Sequence, residues 1–406
     1  MIFQTLDDKS ECVGIYTNNE LFFALEDFPS GLTTTWKHAP YLEGMNLEYI
    51  SLYLEGEKIG DCIPEYLKDD WGDAVKKLAS FKRSLRISQV NTNENCFFDL
   101  VPKRFLIEFC ETKNKITEHI MLTIPKPKRY EFYKHVSVML TNIENREVMI
   151  DRAKVRSYIE HKKLGNQARS ILSSTPKVMY NQFGTKTGRL TTKKDTFPIL
   201  TLNKDFRRSV KPQNDFFVEI DFNGAEVRTL LGLLKKDQPL GDVHDFHLRE
   251  IFKGVPTRDQ AKTLFFAWLY GSRTAVDDST SSRLNEFYER DKLLKNYWDG
   301  DTVTTYYKKR IPCSSRHHAL NYLVQSTAAE LTLKQALKLD YMLRVKGSGS
   351  AIAFLIHDAV VIDMKKEDEP LLKILVDMMR STNFGNFMVN IKRGDSLGSL
   401  RRADVV

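Results

Sequence analysis

The chain has 406 residues, enough for two or three domains, and its 42% hydrophobic and 28% charged residues are typical of a globular protein. The net charge of +8 favours a polyanionic partner, while five scattered cysteines without a CxxC pair argue against a zinc site or a disulfide framework. No basic segment followed by an apolar one opens the chain, and no apolar run reaches the roughly 20 residues that a membrane helix needs. We therefore expect a cytoplasmic protein without a membrane partner.

The predicted elements of the first third are a mixture of strands and helices. Residues 11–26 alternate apolar and polar side chains about Asn18–Asn19, which predicts a hairpin with these two residues at its turn. Residues 69–85 have helical periodicity, and so do residues 132–150. Between them, the proline-containing segment 123–132 is the best candidate for a domain boundary, because proline favours extended backbone. The region before it is then a small mixed α/β domain.

Two segments of the second half place a carboxylate where a predicted strand ends. In residues 216–234 an apolar, β-prone run stops at Asp221 and a helical pattern follows. In residues 351–364 two β-prone halves flank His357 and Asp358, which predicts a hairpin with this pair at its tip. Two such carboxylates could together bind two Mg²⁺ ions and support phosphoryl transfer. Each also has a structural interpretation, Asp221 or Asn223 as a helix cap and the His–Asp pair as a buried ion pair.

The segment RDQAKTLFFAWLYG carries a ladder of four residues at steps of four, namely Arg258, Lys262, Phe266 and Tyr270. Such steps keep side chains on one helix face, and twelve residues rise about 18 Å, close to the length of a nucleoside triphosphate. The two cations would hold phosphates, and the two aromatic rings would meet sugar and base. A separate apolar stripe can anchor the helix in a core, and its members are Ala261, Leu264, Phe265 and Trp268. Core packing therefore explains the apolar stripe and leaves the ladder unexplained.

These segments resemble motifs A, B and C of the family A (Pol I-like) DNA polymerases, in the order that the family has them. The three matches are DFNGAEVR (221–228), RDQAKTLFFAWLYG (258–271) and IHDAVV (356–361). Further segments resemble the family's lead into the palm, its TGRL segment, the segment before the fingers helix and the helix at the minor groove: MLTNIENREVMID (139–151), TGRLTT (187–192), GDVHDFHLREIF (241–252) and HALNYLVQSTAAE (318–330). The resemblance implies an α+β, right-hand polymerase fold with palm, fingers and an antiparallel palm sheet.

The resemblance also implies a role for each matching residue. Asp221 and Asp358 would bind two Mg²⁺ ions, with Mn²⁺ as an alternative ion and the carbonyl of Phe222 as a further ligand. Lys262 would also donate a proton to the leaving pyrophosphate. The nucleotide-binding residues would be Arg258, Lys262, Phe266, Tyr270, His244 and Glu226, the last of which would exclude a ribose 2′-hydroxyl. The residues in contact with DNA would be Arg189, Asn321, Gln325, His317 and His357.

Four features depart from the family pattern. Ala359 stands where a glutamate usually follows the motif C aspartate, and Gly224 replaces the usual glutamine of motif A. Residues 151–187 are too few for the family's long thumb helices, so we expect a vestigial thumb and distributive synthesis. Residues 1–150 contain no Asp-x-Glu pair, so we expect no proofreading, and on length grounds no 5′-nuclease. The role of residues 1–125 stays open between contacting DNA, replacing the thumb and docking a replication protein.

The sequence thus predicts a template-directed DNA polymerase that joins dNTPs to a primer 3′-hydroxyl, with primer–template DNA and dNTPs as partners. Two alternatives stay open, a non-catalytic nucleic-acid-binding scaffold and a single-subunit RNA polymerase. The compact chain suggests a phage-type replicase, which would work in the host cytoplasm. The expected domains are an N-terminal accessory domain (1–125), a linker and start of the palm (126–150), a vestigial thumb (151–187), the palm with motif A (188–240), the fingers with motif B (241–310) and the palm with motif C (311–406).

Overall fold

The structure is a computed structural model that forms two compact units, Met1–Arg146 and Glu147–Val406. Among the described residues, no helix is both long enough and apolar enough to cross a membrane. Residues 11–12 of the predicted hairpin segment and Gly271 of the motif B segment lie outside the described residues. The ranges that the structure describes are 1–6, 13–92, 95–252, 257–270 and 276–403.

The first unit mixes small sheets with helices, as predicted. Its hairpin β2–β3 turns at Asn18 and Asn19, whose positive φ angles of 47° and 67° suit a two-residue turn. Strands β1, β2 and β3 form an antiparallel sheet, and β4 pairs in parallel with β5. The elements are β1 (Gln4–Thr5), β2 (Ile15–Thr17), β3 (Glu20–Phe22), β4 (Thr34–Thr35), β5 (Glu48–Tyr49), α1 (Ile50–Tyr53), α2 (Lys68–Ile87), α3 (Lys103–Thr123) and α4 (Tyr130–Glu144).

The first unit extends beyond the boundary predicted near residue 125, because helix α4 belongs to it. Tyr130, at the start of α4, is buried, and its hydroxyl accepts a hydrogen bond from the backbone N–H of Tyr49 at 2.6 Å. Its ring also packs edge-on against Tyr53. The prolines of segment 123–132 therefore separate two helices of one unit, and the predicted linker and start of the palm (126–150) must be corrected accordingly.

The cysteines depart from the expectation at one position. Cys96 is disulfide-bonded, whereas Cys62, Cys110 and Cys313 are free thiols. Cysteine spacing alone carries no information on which residues the fold brings together. One bonded cysteine beside three free thiols is not a disulfide framework, but the bond at Cys96 is one that the sequence did not predict.

The second unit is organised around a five-stranded sheet with the order β13–β14–β10–β17–β18. Every neighbouring pair in it is antiparallel, which confirms the predicted palm sheet and the α+β class. Its strands are β6 (Met149–Ile150), β7 (Tyr180–Asn181), β8 (Thr191–Thr192), β9 (Val210–Lys211), β10 (Phe216–Phe222), β11 (Thr302–Thr304), β12 (Arg310–Pro312), β13 (Ala351–Ile356), β14 (Ala359–Met364), β15 (Ser381–Thr382), β16 (Gly385–Asn386), β17 (Val389–Gly394) and β18 (Arg401–Arg402).

The helices of this unit range from one turn to the thirty residues of α13. Between residues 151 and 187 the chain forms two short helices, α5 and α6, which pack on each other, and the two-residue strand β7. The helices are α5 (Arg152–Arg156), α6 (Gly165–Ser173), α7 (Lys204–Arg207), α8 (Ala225–Leu233), α9 (Val243–Glu250), α10 (Arg258–Leu269), α11 (Asp278–Phe287), α12 (Arg290–Tyr297), α13 (Arg316–Val345) and α14 (Leu372–Arg380).

Helix α10 is held by its apolar stripe, as predicted. A capping box of Thr257 and Gln260 starts the helix. Ala261, Phe265 and Trp268 are buried in a hydrophobic core formed by helices α8 to α13. The ladder lies on another face of α10, where its other members are exposed and Phe266 is partly buried against the same core.

Candidate active site

The sheet brings the two predicted carboxylates to one place. Asp221 lies near the end of β10, and Asp358 lies in the turn between β13 and β14. Because β10 pairs with β14, Asp221 lies directly opposite Ala359. The carbonyl of Asp358 accepts a hydrogen bond from the backbone N–H of Phe222 at 3.5 Å. The strand register therefore places two aspartates, 137 positions apart in the chain, side by side at the same end of the sheet.

One cleft of about 290 Å³ gathers most of the predicted site residues. It contains both aspartates and the whole ladder of α10. The residues that line the cleft are Arg189, Asp221, Phe222, Asn223, Gly224, Ala225, Glu226, His244, Arg258, Lys262, Phe266, Tyr270, Asp358 and Asn390. Cations and aromatic rings from a helix thus face carboxylates from strand ends across one small space.

The two aspartates repel each other in this cleft. Burial raises the pKa of Asp221 to about 6, and the charges of Asp358 and Glu219 add to the effect. Burial also raises the pKa of Asp358. A divalent cation between like carboxylates would relieve this repulsion. Among the described residues, no group of three or more His, Cys, Asp or Glu side chains is arranged to hold a metal ion, so a metal centre here would rest on this pair with backbone or ligand oxygens.

The ladder presents its residues in the predicted order. Arg258, Lys262 and Tyr270 are exposed, and Phe266 is half-buried. The rings of Phe266 and Tyr270 are stacked with their centroids 5.6 Å apart. The ring of His244 lies 6.0 Å from that of Phe266, and burial lowers the pKa of His244 to about 4. A neutral imidazole and two cations therefore stand beside a flat aromatic surface, which suits a nucleotide with its phosphates towards Arg258.

Asp242, which the sequence analysis did not single out, organises the end of the ladder at Arg258. Its carboxylate accepts hydrogen bonds from Arg258 Nη2 at 2.7 Å and Nε at 3.1 Å. It also caps helix α9 by accepting from the backbone N–H groups of His244 and Asp245 at 2.9 and 3.1 Å. Burial alone would raise its pKa, but these hydrogen bonds and one from Asn223 hold it well below the usual range. One carboxylate thus positions both Arg258 and the helix that carries His244.

Asn223 and Arg228 connect Asp242 to the strand that carries Asp221. The amide of Asn223 donates to Asp242 at 2.9 Å, and its backbone N–H donates to the carbonyl of Met388 at 3.0 Å. Arg228 is fully buried and donates to the carbonyls of Asn223 and Gly241 at 2.7 and 2.8 Å. A polar network therefore runs from the end of β10 to the first turn of α10.

Gly224 occupies a position that needs glycine. Its φ angle is 69°, in the left-handed region, where it precedes helix α8. A Cβ atom there would lie 2.4 Å from Cγ1 of Val243. The departure from the usual motif A glutamine is thus explained by the close approach of α9.

Glu226 is held on the opposite side of the cleft. It is buried on α8, and its carboxylate accepts from Arg189 Nη2 at 2.5 Å and from the hydroxyl of Tyr270 at 3.2 Å. Burial raises the pKa of Glu226, although the charge of Arg189 opposes the shift. Arg189, predicted to contact DNA, is therefore paired with the carboxylate predicted to test the sugar.

The remaining residues predicted to contact DNA lie outside this cleft. His317, Asn321 and Gln325 follow one another at steps of four residues along one face of α13. Gln325 accepts a hydrogen bond from the hydroxyl of Thr187 at 2.7 Å, which ties the TGRL segment to this helix. A second groove, of about 380 Å³, adjoins the cleft. Arg189 and Asp358 line both the cleft and this groove, whereas His357 lines the groove alone.

The sequence analysis missed two polar residues of the site, Asp242 and Asn390, and considered Asn223 only as a helix cap, whereas the N-cap of α8 is Gly224. Asn390 lies on β17 directly opposite Asp221 of β10, and its side chain donates a hydrogen bond to the Asp221 carboxylate. Only the register of β17 with β10 reveals this contact. Asp242 had a local signal, because an aspartate directly before a helical segment predicts an N-cap. Its ion pair with Arg258 has no such signal.

Two known proteins named DNA polymerase I are similar in sequence to this chain. The chain is similar to DNA polymerase I of Chloroflexus aurantiacus, with 23% identity over 50% of this chain and 26% of that protein. It is also similar to DNA polymerase I of Caldicellulosiruptor bescii, with 24% identity over 48% of this chain and 28% of that protein. The chain thus matches little more than a quarter of the length of these curated relatives.

A solved structure shares the fold. It is the POL domain of Pol1 from M. smegmatis in complex with DNA primer-template and dNTP, with a TM-score of 0.59, 13% identity and coverage of 73% of this chain and 76% of that chain. No protein-family profile matches the chain. The chain is thus similar in sequence to part of DNA polymerase I from two bacteria, and it shares the fold of a Pol1 polymerase domain.

Proposed function

We propose that the chain is a template-directed DNA polymerase that adds dNTPs to a primer 3′-hydroxyl. The observation that carries the proposal is that Asp221, Asp358 and the ladder of α10 line one cleft. Two carboxylates suit the reacting end of a nucleoside triphosphate, and the ladder suits its phosphates, sugar and base. The relatives named DNA polymerase I support this activity, as does the Pol1 domain in complex with primer-template and dNTP.

The donor atoms fit two divalent cations of the Mg²⁺ class. The carboxylates of Asp221 and Asp358 and the carbonyl of Phe222 are hard oxygen ligands, which Mg²⁺ prefers and Mn²⁺ accepts. The repulsion that raises the pKa of Asp221 is the electrostatic condition that such cations relieve. When bound, they would activate the primer hydroxyl and offset charge on the reacting phosphate.

The other side chains would bind and orient the nucleotide. Arg258, with its guanidinium fixed by Asp242, and Lys262 would hold the triphosphate. His244, neutral because burial lowers its pKa to about 4, can offer a hydrogen bond without adding charge. Phe266 and Tyr270 would stack on the nascent base pair. Lys262 would also donate a proton to the departing pyrophosphate, as the family resemblance implies.

Glu226 favours a DNA polymerase over an RNA polymerase. A carboxylate fixed by Arg189 and Tyr270 would meet the sugar of a nucleotide stacked on the ladder. A ribose 2′-hydroxyl would collide with it, whereas a deoxyribose would fit. A scaffold without catalytic activity would have no use for triphosphate ligands such as Arg258 and Lys262, and we therefore set that alternative aside.

Primer extension with Mg²⁺ tests the proposal. We expect the wild-type protein to extend a primed template, and the Asp221→Ala and Asp358→Ala variants to lose that activity by at least about a thousandfold. Asp278→Ala, which removes an exposed aspartate at the start of α11, is the matched control and should keep full activity. Equal extension by all four proteins would remove the site assignment.

A further inference from the structure

One ion pair of the palm sheet has no role in the site described above. Lys392 on β17 donates a hydrogen bond to the carboxylate of Glu219 on β10 at 2.5 Å. The Glu219 side chain is only 10% exposed, whereas that of Lys392 is 42% exposed. A carboxylate buried to this extent needs a partner, and Lys392 supplies it. The lysine is thus held at one end by Glu219 and faces solvent with the rest of its ammonium group.

The strand register places this ion pair next to Asp221. Strands β10 and β17 pair so that Asp221 is opposite Asn390 and Glu219 is opposite Lys392. Successive side chains of a strand alternate between its two faces, so these four side chains lie on the same face of the sheet. Two residues along a strand span about 7 Å, which is the spacing between the two rows. The ion pair therefore forms the row directly adjacent to the row that carries Asp221.

The strand on the other side of β10 adds no charge to these two rows. On β14, Ala359 is opposite Asp221 and Val361 is opposite Glu219. Both side chains are apolar and buried. The charge that surrounds Asp221 on this face of the sheet therefore depends on β17.

The ion pair and Asp221 interact electrostatically. Burial and the charges of Asp358 and Glu219 raise the pKa of Asp221, whereas the charge of Lys392 lowers it. Burial likewise raises the pKa of Asp358 and the charge of Arg189 lowers it, but Arg189 is bound to another carboxylate of the cleft. Lys392 is thus a cation within electrostatic range of Asp221 that Glu219 keeps in place.

We infer that Lys392 is a tethered counter-cation of the site at Asp221: it offsets carboxylate charge while no metal ion is bound, and it weakens the binding of a divalent cation there. The inference rests on the proposed function, because it concerns the cations that Asp221 and Asp358 would hold. With the dielectric constant of water, a unit charge about 7 Å from a divalent cation changes its binding by about sevenfold. Dissolved ions reduce this effect, so we expect a change of about fivefold at low ionic strength.

Binding of Mn²⁺ to the metal-free protein tests the inference. Mn²⁺ alone is titrated at low ionic strength, without DNA or dNTP, and electron paramagnetic resonance measures the free ion. Lys392→Met removes the charge and keeps the length of the side chain, so it should lower the Kd for Mn²⁺ about fivefold. Lys392→Arg keeps the charge and should keep the wild-type Kd. The matched control is Lys346→Met, which changes an exposed lysine at the end of α13 and should leave Kd unchanged.

Two double variants separate the effect of charge from a loss of structure. Glu219→Gln/Lys392→Met removes both charges of a neutral pair and leaves no unpaired buried carboxylate, so its Kd should return to within about twofold of wild type. In the Asp221→Asn protein, adding Lys392→Met should no longer change Kd, because the ion would not be bound beside this row.

Three results would overturn the inference: an unchanged Kd in Lys392→Met, an equal change in Lys346→Met, or a Kd that Asp221→Asn does not alter. The assay needs no synthesis. A wild-type protein that binds Mn²⁺ as expected but fails to extend a primer would therefore refute the proposed function and leave this inference standing. A protein that extends primers, but whose Kd does not respond to Lys392→Met, would refute the inference alone.

Discussion

The ion pair between Asp242 and Arg258 gives the sharpest prediction about nucleotide binding. Asp242→Asn keeps an N-cap for α9, because asparagine is as good a cap as aspartate, but it removes the charge that fixes the Arg258 guanidinium. The Arg258 side chain is 43% exposed and that of Asp242 is 20% exposed, so solvent screens the pair. A partly exposed pair of this kind is worth about 1 kcal/mol, which corresponds to about a fivefold change in an equilibrium constant.

We therefore expect Asp242→Asn to raise KM for the dNTP about fivefold and to leave kcat within about twofold. Steady-state incorporation of one nucleotide measures both constants. Asp259→Asn is the matched control: Asp259 also contacts Arg258, at 3.1 Å, but it is 90% exposed and should leave KM unchanged. An unchanged or lower KM in Asp242→Asn would show that Asp242 does not position Arg258 for the phosphates.

Three further predictions follow from buried charges. Asp221→Asn should stabilise the metal-free protein by up to about 3 kcal/mol above pH 6, because the pKa of Asp221 is raised from 3.8 to about 6. This gain in the free energy of unfolding should vanish towards pH 4. Urea unfolding in the presence of a chelator measures the gain, and a gain that does not depend on pH would contradict the reasoning. Glu226→Ala should reduce the preference for dNTPs over rNTPs by at least tenfold in competing incorporation, and an unchanged ratio would remove the sugar-selecting role. Arg228→Met should lower the free energy of unfolding by about 3 kcal/mol, because it leaves buried carbonyls without hydrogen-bond donors. Arg249→Met, which changes an exposed arginine, should have little effect. Equal effects of the two substitutions would contradict a stabilising role for the Arg228 hydrogen bonds.

The local structure of the palm and fingers could be predicted because it depends on short-range patterns. The run that ends at Asp221 forms β10, and the two halves around His357 form the hairpin β13–β14. The ladder and the apolar stripe of α10 face in different directions because helical periodicity separates them. The convergence of Asp221 and Asp358 was considered from their two strand ends and implied by the family resemblance, and the pairing of β10 with β14 gives its physical cause.

Other features depend on contacts between distant parts of the chain and had no local signal. Asn390 reaches Asp221 only through the register of β17 with β10. The first unit extends to Arg146 because Tyr130 packs against Tyr53, and a pair of prolines does not reveal that contact. The pairing of Arg189 with Glu226 likewise joins two segments that the fold alone brings together. Sequence patterns thus predicted most of the residues that line the cleft, and tertiary structure determined the residues that pack against them.

Template-directed choice of nucleotide is the most direct test of the central claim. Four primed templates that differ only in the templating base are each offered the four dNTPs singly, with Mg²⁺ present. The cleft formed by Asp221, Asp358 and the ladder predicts that only the complementary dNTP is joined, and that Asp358→Asn abolishes the reaction. Incorporation that ignores the templating base, or that survives in Asp358→Asn, would contradict it.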